Sequence, residues 1–295
     1  MITSPFLEGR DRYERSLDAW VDNTHEEAFT HTVRLADPDH AVEVSATCTP
    51  SPDYEVHEAR ARVLRGDADP AIAADVSGLR GARMIAGFTR RLVELCGPRT
   101  GAGLVVDAGI EIARLARQTA KLPEAATAGF DPGDAARCLD LDAASWQDLP
   151  NSCFTYSAPG RTLLRSRSVS AQATRDLYTP PAHARRIFVR RRQLRLLQTA
   201  GRLHLFHSMH DNVHGFDIHY EVDLASGCIT AADSIASRLP YLGLCSEPQG
   251  RIAGMIGQPV VPELRRGIQG LLGGQAGCAQ LYDLTADLLK LLVLN

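Results

Sequence analysis

The stretch HGFDIHYEVDL, residues 214–224, decides the fold. Phe216, Ile218, Tyr220 and Val222 alternate with Asp217, His219, Glu221 and Asp223. A period of two is the signature of a strand with one face buried and one wet. Upstream, residues 187–198 and 202–210 alternate or run apolar around a Thr199-Ala200-Gly201 turn. Downstream, Ala225-Ser226-Gly227 leads into a further strand over residues 228–236. Helical stretches over 260–272 and 278–294 complete the unit, the first ending at Gly273 as a C-cap.

The same unit occurs earlier in the chain. At a spacing of 176, Gly78, Gly81, Arg90, Leu95, Gly97, Gly101 and Asp107 meet Gly254, Gly257, Arg266, Leu271, Gly273, Gly277 and Asp283. Four of these seven matches are glycine, whose backbone freedom other residues do not share. At a spacing of 174, Asp37 and His40 meet Asp211 and His214. Strands are expected over residues 28–36, 40–49 and 56–64, and helices over 82–96 and 103–118, so that residues 37–117 repeat as 211–293. The expected fold class is α+β: two tandem diverged copies of an antiparallel sheet with helices packed on one face, in a pseudo-twofold arrangement. The boundaries are a first repeat over 1–122, a linker over 123–184 draped across the surface, and a second repeat over 185–295.

Composition removes several classes of function. A net charge of −3 and a pI near 6.4 supply no basic field for nucleic acid. No apolar run of membrane-spanning length occurs, and residues 1–15 do not resemble a signal peptide. Seven cysteines without a CxxC pair suit reduced thiols and a cytoplasmic setting. P-loop, GxSxG and HExxH motifs are missing, and Gly101-Ala102-Gly103 lacks the third glycine of a dinucleotide site.

Histidine density is the strongest chemical signal. His204, His207, His210, His214 and His219 crowd into sixteen residues, with Asp211 among them. Histidine exchanges protons near neutral pH, so His210 or His214 is a candidate base and Asp211 a group to orient it. His207, His210 and His214 could instead converge on zinc or iron across a hairpin. The third reading is a solvated polar strand face. His214 gains weight from its recurrence as His40. Tyr241 is a candidate hydrogen-bond partner or proton donor, the alternative being a boundary aromatic with a wet hydroxyl. Arg190 and Arg192 share one strand face and could clamp a carboxylate, or belong to a solvated or pairing strand. Cys278 at a helix N-terminus, and Cys245, read as small core residues rather than nucleophiles.

LLGGQAGCAQL, residues 271–281, and LPYLGLC, residues 239–245, together with His214, carry a resemblance. They resemble the bacterial family called domain of unknown function 2889, which shows a His before a strand, Pro-Tyr-x-x-Cys, and Gly-Gly-x-x-Gly-Cys-x-His-Leu. Two departures stand out: three residues separate Pro240-Tyr241 from Cys245, and Gln280 replaces the second motif's His. The likeness covers about residues 187–294. It implies aromatic catabolism, with cofactor-free loss of formaldehyde from lignin-derived side chains. The first copy lacks the motifs, with Ala102 opposite Cys278 and Asp69 opposite Cys245, which suggests a scaffold half and an active half.

The expectation is therefore a cofactor-independent lyase acting on a small aromatic substrate. His210, His214, Asp211 and Tyr241 would be catalytic, and His40, His207, Arg190 and Arg192 would bind substrate. The rivals are a metal-dependent hydrolase or lyase using zinc or iron at His207, His210 and His214, and a non-catalytic binding module. Nucleic acid and membrane are not expected as partners, and a homodimer fits the duplicated design.

Overall fold

The structure, a computed structural model, describes residues 3–292. The expected repeat boundary at Val293 and helix end at Leu294 lie outside the described residues. Eight strands form one antiparallel sheet: β1 (Arg12–Asp22), β2 (Phe29–Ala36), β3 (Ala41–Cys48), β4 (Val56–Arg65), then β6 (Phe188–Thr199), β7 (Arg202–Asp211), β8 (Gly215–Asp223) and β9 (Ile229–Arg238). Between β4 and β6 lies β5 (Ser170–Ala171), which pairs with β10 (Tyr241–Leu242) in a separate small ladder. The large sheet runs β4-β3-β2-β1-β6-β7-β8-β9. Two four-stranded meanders thus meet through an antiparallel β1–β6 pair. The fold is α+β.

Seven α-helices accompany the strands: α1 (Ala71–Val76), α2 (Phe88–Cys96), α3 (Ala102–Leu115), α4 (Ala135–Ser145), α5 (Ala158–Leu164), α6 (Pro262–Leu272) and α7 (Ala279–Leu289). The alternation read from residues 214–224 is realised in β8. Phe216, Ile218, Tyr220 and Val222 are buried, while Asp217, His219 and Glu221 stay partly open. Burying each such side chain is worth about 1.5–3 kcal/mol. Helix α3 lies over β2 and β3, and α7 over β7 and β8. Two apolar clusters result, one per meander, and a third joins α4 to Tyr241 and Leu244.

Three features depart from the sequence reading. Strand β1 was not expected, and it supplies the seam between the halves. Helix α2 begins at Phe88 rather than residue 82, because Gly87 at φ 93° turns the chain into it. Gly97 caps α2 at φ 59°, whereas Gly273 is extended at φ −106°. The third departure is the segment read as a surface linker. It folds into α4 and α5 and buries Leu139, Asp142, Trp146 and Tyr178.

The turns that open β3 and β8 are built alike. Asp37 Oδ1 accepts the His40 amide at 2.7 Å, and Asp211 Oδ1 accepts the His214 amide at 2.6 Å. The Asp37 amide donates to the His40 carbonyl at 2.9 Å, and the Asp211 amide to the His214 carbonyl at 2.8 Å. Arg65 reaches the Asp37 carbonyl and Arg238 the Asp211 carbonyl. Because β1 and β6 run antiparallel, these two turns lie at opposite ends of the sheet.

Candidate functional site

At the His214 end of the sheet, a cavity of about 300 Å³ opens where both halves and the middle segment meet. Val213, His214 and Phe216 form one wall, and Leu239, Pro240 and Tyr241 continue it. Helix α4 contributes Asp142 and Trp146. The C-terminal end of α3 brings Arg114, Arg117 and Gln118, so the first half does build part of the site. Gly277 and Cys278 close the side next to α7. Gly277 allows this turn because a Cβ there would lie 2.1 Å from the Leu272 carbonyl oxygen.

His214 is held by Asp211. Its Nδ1 stands 3.1 Å from Asp211 Oδ1 and 3.3 Å from Oδ2. A carboxylate only accepts, so in the neutral ring the proton sits on Nδ1 and the lone pair on Nε2. Asp211 is buried and its other contacts fix it. Arg190 Nε and Nη2 donate to Oδ2 at 2.9 and 2.7 Å, and the Val213 amide donates to Oδ1 at 2.8 Å. Burial by itself would raise the Asp211 carboxyl. The His214 ring, the Arg190 guanidinium and the amides outweigh that and hold it well below the usual carboxylate range.

Across the cavity, Asp142 is ringed by phenols. Tyr178 donates to Oδ1 at 2.7 Å, Tyr156 to Oδ2 at 2.8 Å, and Tyr241 also to Oδ2. Burial raises the Asp142 carboxyl above its ordinary value even though the three phenols and nearby His214 favour its charged form. The same burial, with the carboxylate adjacent, holds the Tyr156, Tyr178 and Tyr241 hydroxyls well above the ordinary range. A carboxylate-held imidazole and a buried acid with its three phenols thus line one small, mainly apolar space.

Of the expected site residues, His214, Tyr241 and Arg190 line this cavity and Asp211 holds the His214 ring; His40, His207, His210 and Arg192 lie elsewhere. His210 points from the opposite face of β7, half exposed, with Nε2 3.4 Å from Asp217. His207 is buried under α7, where Nδ1 meets the Leu284 carbonyl at 3.0 Å. Burial, reinforced by the Arg192 charge, lowers its pKa to about 3, so it stays neutral. His207, His210 and His214 therefore face three different surroundings, and among the described residues no group of three or more His, Cys, Asp or Glu is arranged to hold a metal.

His40 occupies the corresponding turn at the far end of the sheet. Its Nδ1 is 3.6 Å from Asp37, and its ring packs where a side chain on Gly66 would stand. Arg190 borders the cavity but is committed to Asp211 and, through Nη1 at 2.9 Å, to Glu111. Arg192 lies beyond it, bonded to Glu111 and to Asp287 at 2.8 Å. Arg190 and Arg192 pair with Ala19 and Leu17 on β1, and all four side chains are buried on the face that the helices cover. Burial would raise the Glu111 carboxyl, but Arg192, Arg190 and Arg114 bring it down to about 2. The arginine pair is internal wiring rather than a substrate clamp.

Cys278 caps α7, where burial pushes its thiol up to about 11, and it pushes Cys245 up to about 12. Neither is an activated nucleophile. Sequence reasoning passed over Asp142, Tyr156 and Tyr178. One signal was available: Asp142 sits on the apolar stripe of α4 with Cys138, Leu139 and Trp146.

A family model described as protein of unknown function (DUF2889) matches residues 197–293. That range holds His214, Asp211, Tyr241 and Cys278, while Asp142 and Arg190 come from outside it. No curated protein and no solved structure matches the chain. Among the described residues, no helix is long and apolar enough to cross a membrane.

Proposed function

We propose that the cavity is the active site of a cofactor-independent lyase acting on a small phenolic or other aromatic compound. The observation that carries the reading is the facing pair of His214–Asp211 and Asp142 with its three tyrosines across one cavity of about 300 Å³. His214 Nε2 takes the proton from a hydroxymethyl group of the substrate. The freed oxygen pair forms the carbonyl of formaldehyde as the carbon–carbon bond breaks. That bond's electrons move toward the ring or expel an oxygen. Asp142, whose burial favours its protonated form, donates its own O–H to the Tyr241 oxygen as the Tyr241 O–H turns from Asp142 and gives its proton to the departing group. The proton taken by His214 then returns through solvent to Asp142, so both groups are restored and no oxidant or reductant is consumed. Arg190 holds Asp211, and Asp211 holds the imidazole.

The same reading treats the halves as diverged copies, which the matched Asp37–His40 and Asp211–His214 turns support. It also includes a cytoplasmic setting, which the seven free cysteines suit, and a homodimer through an open sheet edge. The test is formaldehyde release from a panel of phenolics bearing hydroxymethyl side chains, run with and without chelator. Release that survives the chelator supports the proposal. Release abolished by the chelator would turn the account to metal-assisted chemistry, and silence across the panel would favour a binding module.

A further inference from the structure

Asp211 ends a buried chain of charges that starts in the first half. Glu111 sits on the inward stripe of α3 with Ala108, Ile112 and Leu115. A carboxylate there is costly unless it is paired. Its Oε1 accepts Arg190 Nη1 at 2.9 Å. Arg190 spends Nε and Nη2 on Asp211 Oδ2 at 2.9 and 2.7 Å, and Asp211 Oδ1 stands 3.1 Å from His214 Nδ1. Glu111 is not part of the cavity wall and meets it through Arg190 and Arg114, which are.

The matching turn in the first half is built without such a chain. Asp37 Oδ2 accepts the Tyr13 hydroxyl at 3.0 Å, where Asp211 Oδ2 takes the guanidinium. A neutral donor is thus enough to hold the turn, and the buried arginine with its second acid serves something beyond it. Arg114 and Arg192 each bind Asp287 as well as Glu111. Among the described residues, Arg190 is paired with Asp211 and Glu111 alone. With Glu111 ionised, the Arg190 charge is offset from both sides. With Glu111 neutral, the uncompensated guanidinium opposes a second positive charge on the nearby imidazole.

We infer that Glu111, supplied by the first half, is a positioning residue for His214: it holds Arg190 on Asp211 and offsets the Arg190 charge, so that the ring can accept the substrate proton. This role rests on the active-site reading above and extends the site into the first half. The other charged groups that share the cavity with His214 are Asp142 from α4, Arg114 and Arg117 from the end of α3, Asp148, and Asp283 from α7. They and the three phenols stay unaltered in the test.

The test follows the ring titration of His214 by NMR in wild type, Glu111→Asp and Glu111→Gln, with the half-exposed His210 as internal reference. The His214 transition should move to lower pH in Glu111→Gln, by about half a unit or more. In Glu111→Asp, whose carboxylate draws back from Arg190, it should move less and in the same direction. The His210 transition should stay in place. In formaldehyde release, the acid limb of the pH–rate profile should move in the same order, with kcat down about threefold to tenfold in Glu111→Gln and KM unchanged. A purely structural Glu111 would lower the melting temperature of both variants and leave the His214 transition where it was; that result overturns the inference and leaves the acid–base reading intact. If Glu111→Gln does not fold, an unmoved His214 transition in Glu111→Asp overturns it equally. The expected order of transitions in a protein that releases no formaldehyde supports the role of Glu111 and contradicts the lyase reading.

Discussion

Replacing Arg190 with methionine removes the group that fixes the base-orienting carboxylate. The side chain is 1% exposed, and its partners Asp211 and Glu111 are both at 0%. Three hydrogen bonds are lost, at 2.9 and 2.7 Å to Asp211 and 2.9 Å to Glu111. Glu111 keeps Arg192 and Arg114, whereas Asp211 keeps only hydrogen bonds from the His214 ring and from the Val213 and His214 amides. Breaking a buried ion pair from one side costs about 3–5 kcal/mol, because a buried charge is stranded. For a chain of this size that lowers Tm by roughly 6–15 °C.

The pH dependence has a defined sign. The folded pKa values of Asp211 and Glu111 lie below their unfolded values. Their stabilisation is therefore present above about pH 4 and is lost as pH falls through the folded values. Without Arg190 the Asp211 carboxyl rises and loses less on acidification. The gap between wild type and variant should be full at pH 7 and narrower near pH 4, read from urea unfolding midpoints at constant slope. A deficit under about 1 kcal/mol at pH 7 would refute the reasoning, because stranding a buried charge costs more than that. So would a gap that widens on acidification.

Three further outcomes are expected. His207→Leu should flatten the acid side of the stability curve. The wild-type ring, held at about 3 in the fold, makes the unfolded state bind the extra proton between about pH 6.5 and the folded value, a slope of up to about 1.4 kcal/mol per pH unit. An unchanged slope would mean that the ring titrates normally. Gly277→Ala should lower stability by about 1–3 kcal/mol or more, because its Cβ meets the Leu272 and Gly273 carbonyl oxygens at 2.1 and 2.4 Å; a wild-type melting temperature would contradict that geometry. Cys278 and Cys245 should react with iodoacetamide at pH 7.5 far more slowly than a free thiol, since burial raises both. Labelling as fast as free cysteine, followed by mass spectrometry, would show an open, ionised site.

The strands of the second half were legible because their buried residues are large and apolar, as in Phe216, Ile218, Tyr220 and Val222. Strand β1 was not, because its inward residues Tyr13, Leu17, Ala19 and Val21 lie among Arg12, Glu14, Arg15 and Asp18. The inward Arg15 finds its partner Asp107 ninety-two residues away. The same limit applied to Arg190 and Arg192. Their shared face could be read from spacing, but Glu111 and Asp287 approach them only when α3 and α7 settle over the sheet. His214 stood out through its repeated turn with Asp211. Asp142 was hidden in a segment rich in Ala, Gly, Pro and Asp, where a buried acid resembles a solvated one until three distant tyrosines surround it.

The central claim is that His214, and not its neighbour His210, is the base of a working site. The most direct measurement compares formaldehyde release by wild type, His214→Ala and His210→Ala on the phenolic panel. The account predicts release by wild type, a fall of about 10²–10⁴-fold in His214→Ala, and near wild-type rates in His210→Ala. A His214→Ala protein that releases formaldehyde as fast as wild type, or a wild type that releases none, would contradict it.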